Sequence, residues 1–395
     1  MTFDAMWADL ADIGRSPATG GYRRYAWTTE DGSLREWFNA EAGRRGLDLT
    51  EDRAGNQWAW WGDPDADGAG VVVGSHLDSV PDGGAFDGPL GVVSAFCAVD
   101  ALRRNGFKPQ RPIAVVNFGD EEGARFGVAC AGSRLITGLL DADRARGLTD
   151  GDGTTMAEAL LAVGRRPEHV GPDRATLRRV GVFVELHIEQ GVGLVHTGEP
   201  VAIGSAIWPH GRWVIDLPGV ANHAGTTGLT DRSDPMLALG QAILLARDAA
   251  TRNGVLATIG KVSVEPNAVN AVPSRVLAWL DCRGASGPAV DAVVAELIDM
   301  VADSGGQVRR ESWTPQTRFD GELRDRISSV LPSAPLLATG AGHDAGVLAE
   351  AGIPSAMLFV RNPTGVSHSP AEFAEHDDCL AGIAALSSVV TQLAR

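Results

Sequence analysis

The segment Val71-Val-Val-Gly-Ser-His-Leu-Asp78 indicates the fold class of this chain most clearly. Its three consecutive valines predict a buried strand, because continuous β-branched runs are typical of strands covered on both faces. Three further runs also pass into polar loops, namely Ile113 to Phe118, Val182 to Leu186 and Ala356 to Val360. Ligands of open α/β sheets bind beyond the carboxyl ends of the strands, so the four loops are predicted to converge on one crevice.

The size and charge of the chain limit its possible partners. It has 395 residues, with 34 lysines and arginines against 50 aspartates and glutamates, and a formal net charge of −16. This acidic balance argues against nucleic acid as a partner. No uncharged apolar stretch approaches the ~18 residues of a membrane span, and Met1 to Gly14 lack the basic and apolar regions of a secretory signal. We therefore expect a soluble, cytoplasmic protein without a membrane partner.

The pattern of predicted elements changes along the chain and indicates two domains. Strands alternate with Ala/Leu-rich helices on both sides of an insertion, which is typical of α/β folds with largely parallel sheets. Within the insertion, three strands and two helices fit a small α+β domain: Trp213 to Leu217, Leu256 to Val264, Val276 to Cys282, Met236 to Ala250 and Val290 to Ala302. The sequence predicts that residues 1–208 and 319–395 form a discontinuous α/β domain around an inserted domain of residues 209–318.

Five segments supply side chains that commonly bind metal ions. These side chains are His76 with Asp78, Asp87, Glu121 with Glu122, His187 and His368. Imidazole and carboxylate groups without a thiolate suit Zn, Mn, Co or Ni in a catalytic, partly open site. In His76-Leu77-Asp78 the alternation at a strand end places both polar side chains on one face, so Asp78 is predicted to orient His76 rather than to bind the ion.

Two of these segments have alternative interpretations. Asp87 lies just ahead of a predicted helix, Leu90 to Arg103, so it either bridges two cations or caps the helix. Glu121 and Glu122 follow a buried strand and would repel each other unless a cation or a shared proton intervened. One of the two is expected to bind an ion while the other acts as a base.

Other histidines and the cysteines are given no chemical role. A lone histidine is more often structural than a ligand, and four histidines fall in this group: His169, His196, His210 and His376. The four cysteines, Cys97, Cys130, Cys282 and Cys379, are scattered and form no CxxC pair. Cysteine is among the most buried residue types, so all four are predicted to be reduced and structural.

Seven motifs, spread from near residue 74 to near residue 370, carry a family resemblance. They are Gly74-Ser-His-Leu-Asp-Ser79, Gly83-Gly-Ala-Phe-Asp-Gly88, Asp120-Glu-Glu-Gly-Ala-Arg-Phe126, Glu185-Leu-His-Ile-Glu-Gln-Gly191, Asn222-His-Ala-Gly-Thr-Thr227, Gly340-Ala-Gly-His-Asp-Ala345 and Gly365-Val-Ser-His-Ser-Pro370. As an ordered set they are similar to the M20-type metallohydrolases. Within these, the chain resembles the hydantoinase/carbamoylase branch, which includes N-carbamoyl-L-amino acid hydrolases and allantoate amidohydrolases.

The resemblance implies a fold and a metal centre. The fold is α/β, with a zinc-peptidase-like catalytic domain built on a central, mostly parallel sheet and an inserted α+β, ferredoxin-like domain that acts as a lid and in dimerisation. Two divalent metal ions per subunit are implied. The implied roles are His76 and His187 on one ion, Glu122 and His368 on the other, Asp87 bridging both, Glu121 as general base and Asp78 as the residue that orients His76.

Four further residues are implied to recognise the substrate. Arg283, at the end of a predicted strand, can supply a bidentate fork, and Asn270 can supply amide donors from a turn. Taken alone, an arginine at a strand end and an asparagine in a turn are more often exposed structural residues than substrate contacts. In the resemblance they clamp the substrate carboxylate, and Gln190 contacts the ureido end. His223 stabilises the oxyanion from the lid of a partner subunit, which implies a homodimer and a closing motion.

The predicted function is hydrolysis of the ureido C–N bond of allantoate or of an N-carbamoyl-L-amino acid, releasing ammonia and carbon dioxide. One alternative is an M20-type aminoacylase or dipeptidase, although Gln190 favours the carbamoylase branch. Another is an inactive metal-binding relative, although Glu121 is present. Two departures from the family pattern leave the substrate open: Gly228-Leu229 replaces Pro-Met, and the loop before His368 carries Arg361. Arg361 is interpreted either as a solvated residue or as a contact for an anionic group.

Overall fold

The computed structural model of the protein describes residues 2–395. These residues form two compact units, one comprising the chain up to Ser205 together with Arg318–Arg395, the other comprising Ala206–Thr317. None of the helices in the described residues combines the length and the apolar character needed to cross a membrane.

Helices and strands alternate along most of the chain. The α-helices are α1 Phe3–Leu10, α2 Thr29–Arg44, α3 Pro89–Arg104, α4 Ala131–Thr137, α5 Ala142–Arg146, α6 Met156–Ala162, α7 Arg174–Arg178, α8 Gly193–Thr197, α9 Pro235–Asn253, α10 Gly287–Asp303, α11 Gly321–Val330, α12 Asp344–Glu350 and α13 His376–Leu393. The strands are β1 Asp48–Glu51, β2 Gln57–Trp61, β3 Gly70–His76, β4 Ile113–Phe118, β5 Val180–Ile188, β6 Val201–Ile207, β7 His210–Pro218, β8 Asn222–His223, β9 Leu256–Glu265, β10 Ala271–Val272, β11 Arg275–Arg283, β12 Gln307–Thr314, β13 Thr317–Arg318, β14 Leu336–Thr339 and β15 Ser355–Val360.

The first unit is built on a nine-stranded sheet with the order β1-β2-β4-β3-β5-β15-β6-β13, in which β14 pairs with β6. The four central strands of this sheet, β4, β3, β5 and β15, pair with one another in parallel. Every residue of β3, β4 and β15 is buried, as expected for parallel strands that are covered on both faces. The four strands predicted from the sequence and the mostly parallel α/β sheet are confirmed.

Parallel pairing places several polar residues at one edge of this sheet. His76 is the last residue of β3 and lies opposite Phe118, the last residue of β4. His187 lies near the end of β5, opposite Phe359 of β15. Helix α3 packs against β3 and against α13, and the apolar side chains of these elements belong to one buried cluster. The rigid sheet and its helices therefore fix the positions of the two histidines.

The second unit has the element order of a ferredoxin-like fold. Strand β7, helix α9, strands β9 and β11, helix α10 and strand β12 follow one another, and the sheet order is β12-β7-β11-β9 with antiparallel pairs throughout. This is the β-α-β-β-α-β arrangement. A separate ribbon joins β8 to β10. The five elements predicted for this region are confirmed, while its role as a lid and dimerisation domain remains a prediction.

The four cysteines are buried and form no disulfide among the described residues. This confirms the structural interpretation of Cys97, Cys282 and Cys379, which pack in the apolar clusters of the two units. Cys130 differs from the others because its thiol contacts a polar side chain that is described below.

Candidate metal centre

Asp87 lies at the centre of a cluster of histidines and carboxylates. Its Oδ1 atom lies 3.1 Å from His187 Nε2 and 3.6 Å from His76 Nε2. Its Oδ2 atom lies 3.3 Å from His368 Nε2, which in turn lies 3.6 Å from Glu122 Oε2. Two groups with metal-ligand spacing therefore share Asp87: one with His76 and His187, the other with Glu122 and His368. The structure brings together all five residues that were predicted as ligands.

The Asp87 carboxylate is held by neighbouring polar groups. Glu372 Oε2 accepts hydrogen bonds from Phe86 N and Asp87 N at 2.9 and 3.0 Å. Gln190 Nε2 donates to Asp87 Oδ2 at 2.9 Å. Helix α3 is capped by Gly88 without any side-chain hydrogen bond, so the interpretation of Asp87 as a helix cap is wrong. Its two oxygens are instead directed to the histidines.

The His76 ring lies against the backbone of Gly88. A Cβ atom at Gly88 would lie 2.4 Å from His76 Cε1, and the Gly88 φ angle is +86°, so both space and conformation require glycine here. On the other side of the ring, His76 Nδ1 lies 3.2 Å from Asp78 O and 3.4 Å from Asp78 Oδ1. Asp78 thereby occupies the far nitrogen of the ring and leaves Nε2 for the cluster.

Asp78 also connects the end of β3 to the loop that follows β4. Its Oδ1 and Oδ2 atoms accept hydrogen bonds from Glu121 N at 3.1 Å and from Glu122 N at 3.0 Å. Asp120, which precedes them, has a φ angle of +54°, an uncommon conformation for a residue other than glycine that costs roughly 1–3 kcal/mol. The surrounding contacts therefore hold this loop in one arrangement.

Glu121 is adjacent to the ligand groups without belonging to either of them. Its Oε2 atom lies 3.7 Å from His76 Nε2, and its Oε1 atom accepts a hydrogen bond from Cys130 Sγ at 3.2 Å. One oxygen is thus engaged within the protein and the other faces the cluster. A general base next to a metal centre needs this arrangement, because it must reach the reacting water without binding the ion.

Buried acids greatly outnumber basic groups around the cluster. The buried acids are Asp78, Asp87, Asp120, Glu121, Glu185, Asp344 and Glu372. No lysine or arginine within residues 2–395 forms an ion pair with Asp87, Glu121 or Glu122. Burial, and next the charge of Asp87, raises the pKa of Glu122 to about 7. Burial also raises the pKa of Glu121 well above its usual value, despite the nearby His76. Burial and mutual repulsion therefore disfavour the charged forms of these carboxylates unless a cation lies beside them.

The residues present fit two divalent cations. The Nε2 atoms of His76 and His187 and the Oε1 atom of Glu122 are buried and make no hydrogen bond within the described residues. Buried polar atoms without a partner are rare in native proteins and require an explanation. Imidazole nitrogens and carboxylate oxygens are suitable ligands for Zn, Mn, Co or Ni. Cations at these atoms would also stabilise the charged forms of the neighbouring carboxylates.

The sequence analysis missed several buried polar residues beside the cluster. The His343 ring centroid lies 4.5 Å from that of His187, and Glu185, His187 and His343 form a third group with metal-ligand spacing. Asp344 Oδ1 accepts a hydrogen bond from Ser133 Oγ at 2.5 Å. The available signal was the motif Gly340 to Ala345, which contains both His343 and Asp344 but was assigned no role. Glu372 lies two residues after the motif Gly365 to Pro370 and was given no predicted role.

The four other predicted site residues occupy different places. Gln190 joins the cluster, and its Nε2 atom lies 3.3 Å from His368 Nε2. In the second unit, His223 and Asn270 are exposed neighbours, since Ala271 pairs with His223 and Ala224 N donates to Asn270 O at 3.0 Å. Arg283 is the last residue of the nine-residue strand β11, whereas Asn270 precedes its first residue. The strand thus separates Arg283 from Asn270.

Arg361 differs from both interpretations made from the sequence. Its Nε and Nη2 atoms donate to the Asp378 carboxylate at 2.8 and 2.9 Å, and its Nη1 atom donates to Gly198 O at 3.1 Å. The guanidinium is therefore a structural connection to helix α13 and is not a solvated loop residue. The second departure, Leu229, is 83% exposed on the second unit.

Comparisons with known proteins agree with this architecture. Residues 72–392 match the family described as Peptidase family M20/M25/M40. The chain is 36% identical to an N-carbamoyl-L-amino acid amidohydrolase of Geobacillus stearothermophilus, covering 98% of this chain and 97% of that protein. It is 30% identical to the allantoate amidohydrolase of Escherichia coli strain K12, covering 98% and 96%. The crystal structure of a hydantoinase/carbamoylase family amidase from Burkholderia vietnamiensis matches with a TM-score of 0.87 at 28% identity, covering 100% and 98%.

A mostly parallel α/β sheet that carries this carboxylate and imidazole cluster at its carboxyl edge defines a metal-dependent hydrolase. The chain belongs to the peptidase family M20/M25/M40 and, within it, to the hydantoinase/carbamoylase branch.

Proposed function

We propose that this chain is a dinuclear metal amidohydrolase that cleaves the carbamoyl C–N bond of an N-carbamoyl-L-amino acid or of allantoate. Ammonia and carbon dioxide are released. The observation that carries the proposal is the sharing of Asp87 between two ligand groups, with Glu121 beside them. The similarity to an N-carbamoyl-L-amino acid amidohydrolase and to an allantoate amidohydrolase supports this class of substrate.

In this proposal each ligand has a defined role. His76 and His187 would hold one ion, Glu122 and His368 would hold the other, and Asp87 would contribute to both sites. Two such cations, when bound, polarise the scissile carbonyl and lower the pKa of the attacking water. Asp78 keeps the His76 ring in place through its Nδ1 atom.

Glu121 acts as the general base. Its Oε2 atom accepts a proton from the attacking water and then delivers that proton to the departing nitrogen. The carbamoyl carbon is a poor electrophile, because both of its nitrogens donate electron density to the carbonyl. The Cys130 thiol donates only a weak hydrogen bond to the other oxygen of Glu121, so the carboxylate remains basic.

Gln190 recognises the ureido end of the substrate. Its Nε2 atom is engaged with Asp87, whereas its Oε1 atom is buried and makes no hydrogen bond within residues 2–395. An amide oxygen accepts hydrogen bonds, so it can receive an N–H group of the substrate. The acyl group of an aminoacylase substrate lacks the second, terminal nitrogen of a ureido group and would leave the Gln190 oxygen unsatisfied.

His223 and Asn270 act on a substrate from one copy of the chain, and Arg283 acts from the other. His223 and Asn270 are neighbours, while β11 runs for roughly 27 Å from Arg275 to Arg283 at about 3.4 Å per residue. A small ureido acid is much shorter than this strand. We therefore assign oxyanion stabilisation to His223 from the partner subunit, and the carboxylate clamp to Arg283 together with Asn270 from that partner.

This assignment requires a homodimer in which the second unit serves as lid and dimerisation domain. Four buried free thiols are compatible with a reducing compartment, so the cytoplasm is the proposed location. The substrate is a small ureido carboxylate, and no nucleic acid or membrane takes part.

An assay of ammonia release tests the proposed function. The substrates are allantoate, a set of N-carbamoyl-L-amino acids with their D enantiomers, an N-acetyl-L-amino acid and a dipeptide, of which the last two are followed by amine release. Protein stripped with a chelator is compared with protein reconstituted with Mn or Zn. We expect turnover of ureido carboxylates that is lost on chelation and restored by metal.

Two results would contradict the proposal. Activity that survives complete removal of metal would exclude the dinuclear mechanism. Turnover restricted to the N-acetyl amino acid or the dipeptide would instead assign the chain to the aminoacylase or dipeptidase class.

A further inference from the structure

The first unit contains a second concave site whose lining residues are all different from those of the metal centre. This cleft has a volume of about 530 Å³ and is lined by residues between Glu51 and Asp173. Its volume lies within the range of ~300–1,000 Å³ that is typical of small-molecule sites. Leu160 and Val170 provide buried apolar wall, and Arg53, Arg165, Arg166 and His169 supply basic groups.

Arg53 carries a charge that no side chain of residues 2–395 neutralises. Its Nε atom donates to His169 O at 2.8 Å and its Nη1 atom to Pro172 O at 3.4 Å. Both partners are backbone carbonyls, and no carboxylate forms an ion pair with this guanidinium. The hydrogen bond to His169 O orients this exposed guanidinium, so it is positioned for an anion.

The acids of the cleft are occupied by other donors. Asp52 accepts hydrogen bonds from four N–H groups, two of Asn56 and one each of Ala54 and Trp58. Asp173 accepts from the backbone and the hydroxyl of Thr176 and from the backbone of Arg53. These carboxylates therefore stabilise the local backbone and leave the Arg53 guanidinium unpaired.

Two further arginines of the cleft differ in how firmly they are held. Arg165 pairs with Glu51 through both terminal nitrogens and stacks over Trp27 at 4.8 Å from the ring centroid. The Arg166 side chain is 67% exposed and, within residues 2–395, forms an ion pair only with the exposed Glu168. An exposed pair of this kind contributes little, so Arg166 is free to exchange its partner for a ligand.

We propose that this cleft binds a small organic anion whose carboxylate or phosphate head contacts Arg53 and Arg166 and whose compact apolar body lies against Leu160 and Val170. The strong net negative charge of the chain repels anions in general. An unpaired, fixed arginine in a cavity of ligand size is therefore a local exception that favours an anionic ligand. This site is separate from the one that hydrolyses the substrate.

Calorimetric titration of the metal-loaded protein tests the proposal, with three probes: inorganic phosphate, phenyl phosphate and benzoate. Saturable binding of at least one aromatic anion is expected, and the stronger of the two identifies the preferred head group. The variant Arg53→Met is expected to weaken that binding about tenfold or more, since a charge-assisted hydrogen bond is lost. Arg166→Met is expected to weaken it about threefold, because this side chain is more mobile.

Arg104→Met is the matched control. Arg104 is an exposed arginine of the same unit that does not line the cleft, so its replacement removes the same charge and is expected to leave affinity within about twofold. If Arg53→Met does not fold, the anion affinities of Arg166→Met and Arg104→Met are compared instead to test the proposal. Absence of saturable binding by either aromatic anion would overturn the proposal. Binding that is abolished by chelation and unchanged in both cleft variants would place the anion at the metal centre and would also overturn it.

Discussion

The predicted ligands of the first unit and the predicted substrate residues of the second unit are placed in opposite ways. His76 and His187 are buried and contact one oxygen of Asp87. His223 and Asn270 are exposed, and Arg283 lies at the far end of β11. Apart from His368, which is exposed, the ligand candidates are held by the packing of their own unit, whereas the substrate residues are proposed to act together with a partner subunit. Metal binding is therefore expected to depend on one subunit and substrate binding on two.

The two sets also differ in their effect on the stability of the folded state. Buried carboxylates without a basic partner are unfavourable and are retained only where a cation or a proton compensates them. The exposed residues of the second unit carry no such penalty. Variants of the first set should consequently change metal binding and stability together, and variants of the second set should change catalysis alone.

The largest effect is expected for Glu121→Gln. Removal of the general base should lower kcat about 10²–10⁴-fold, while the bound metal is retained because Glu121 belongs to neither ligand group. Ammonia release measures the turnover of the variant, and elemental analysis measures its metal content. The metal-free variant should be at least as stable as the wild type, since burial disfavours the charged form of Glu121 and glutamine has no charged form.

Glu36→Gln serves as the control for this variant, because Glu36 is exposed on helix α2 and should behave as the wild type. Loss of metal together with activity in Glu121→Gln would show that Glu121 is a ligand rather than the base.

The next largest effect is expected for His223→Ala, which tests whether one active site uses residues of one subunit or of two. His223→Ala should lower kcat about 10²–10³-fold, the usual loss for an oxyanion donor, with metal content and stability unchanged. Purified mixed dimers of His223→Ala and Glu121→Gln should recover about half of wild-type activity, because each has one complete site out of two if His223 acts on the partner. The measurement is ammonia release after co-expression and separation by two different tags.

The same mixture of Glu121→Gln with Glu36→Gln provides the reference for subunit exchange. If the mixed His223→Ala dimers stay inactive while exchange is demonstrated, His223 acts within its own subunit or not at all, and the two-copy assignment is wrong.

A smaller effect is expected for Asp78→Asn. Asp78 touches His76 Nδ1 and accepts hydrogen bonds from Glu121 N and Glu122 N. Loss of such a supporting carboxylate typically costs about 10–100-fold in metal affinity or activity. Competition with a chelator gives the affinity. Asp82→Asn is the control, since Asp82 pairs with Arg23 and Thr19 at exposed positions, and equal losses in both variants would contradict a specific role of Asp78.

The smallest effect concerns the second unit and its pH dependence. A side-chain hydrogen bond from Arg275 holds the pKa of Asp216 below its usual value. The pair therefore stabilises the folded state above the unfolded pKa, and this contribution is lost as the pH falls through the lower, folded pKa. Asp216→Asn should reduce the free energy of unfolding at neutral pH by less than about 1 kcal/mol. Urea unfolding at neutral and acidic pH should show a difference that disappears at the acidic end, and a difference that persists there would refute the electrostatic origin.

Much of the fold could be predicted because it depends on local patterns. The apolar runs of β3, β4, β5 and β15 and the polar residues after them are visible in the sequence, and parallel strands necessarily present their carboxyl ends at one edge. The five ligand candidates could be proposed for the same reason. The alternatives for Asp87 could not be separated, because a cap and a bridging carboxylate occupy the same position relative to a helix.

Other features depended on contacts between distant residues. His343 and Asp344 follow an exposed stretch at β14 rather than a buried strand, so no local pattern connects them to His187 and Ser133. Arg361 donates a hydrogen bond to Asp378 on α13, the last helix of the chain. The separation of Arg283 from Asn270 follows from the length of β11, although the two residues lie close together in the sequence.

The α/β class, the elements of the inserted domain and the candidate ligands could be inferred from the amino-acid sequence, because hydrophobic periodicity and residue chemistry are properties of neighbouring residues. Three features required the folded chain: which oxygen of Asp87 faces which histidine, how the carboxylates of Glu372 and Asp78 hold the backbone beside the cluster, and which arginines are left unpaired. These facts depend on distances between segments far apart in the chain. Such distances are set by the packing of the whole unit and are not encoded in any single segment.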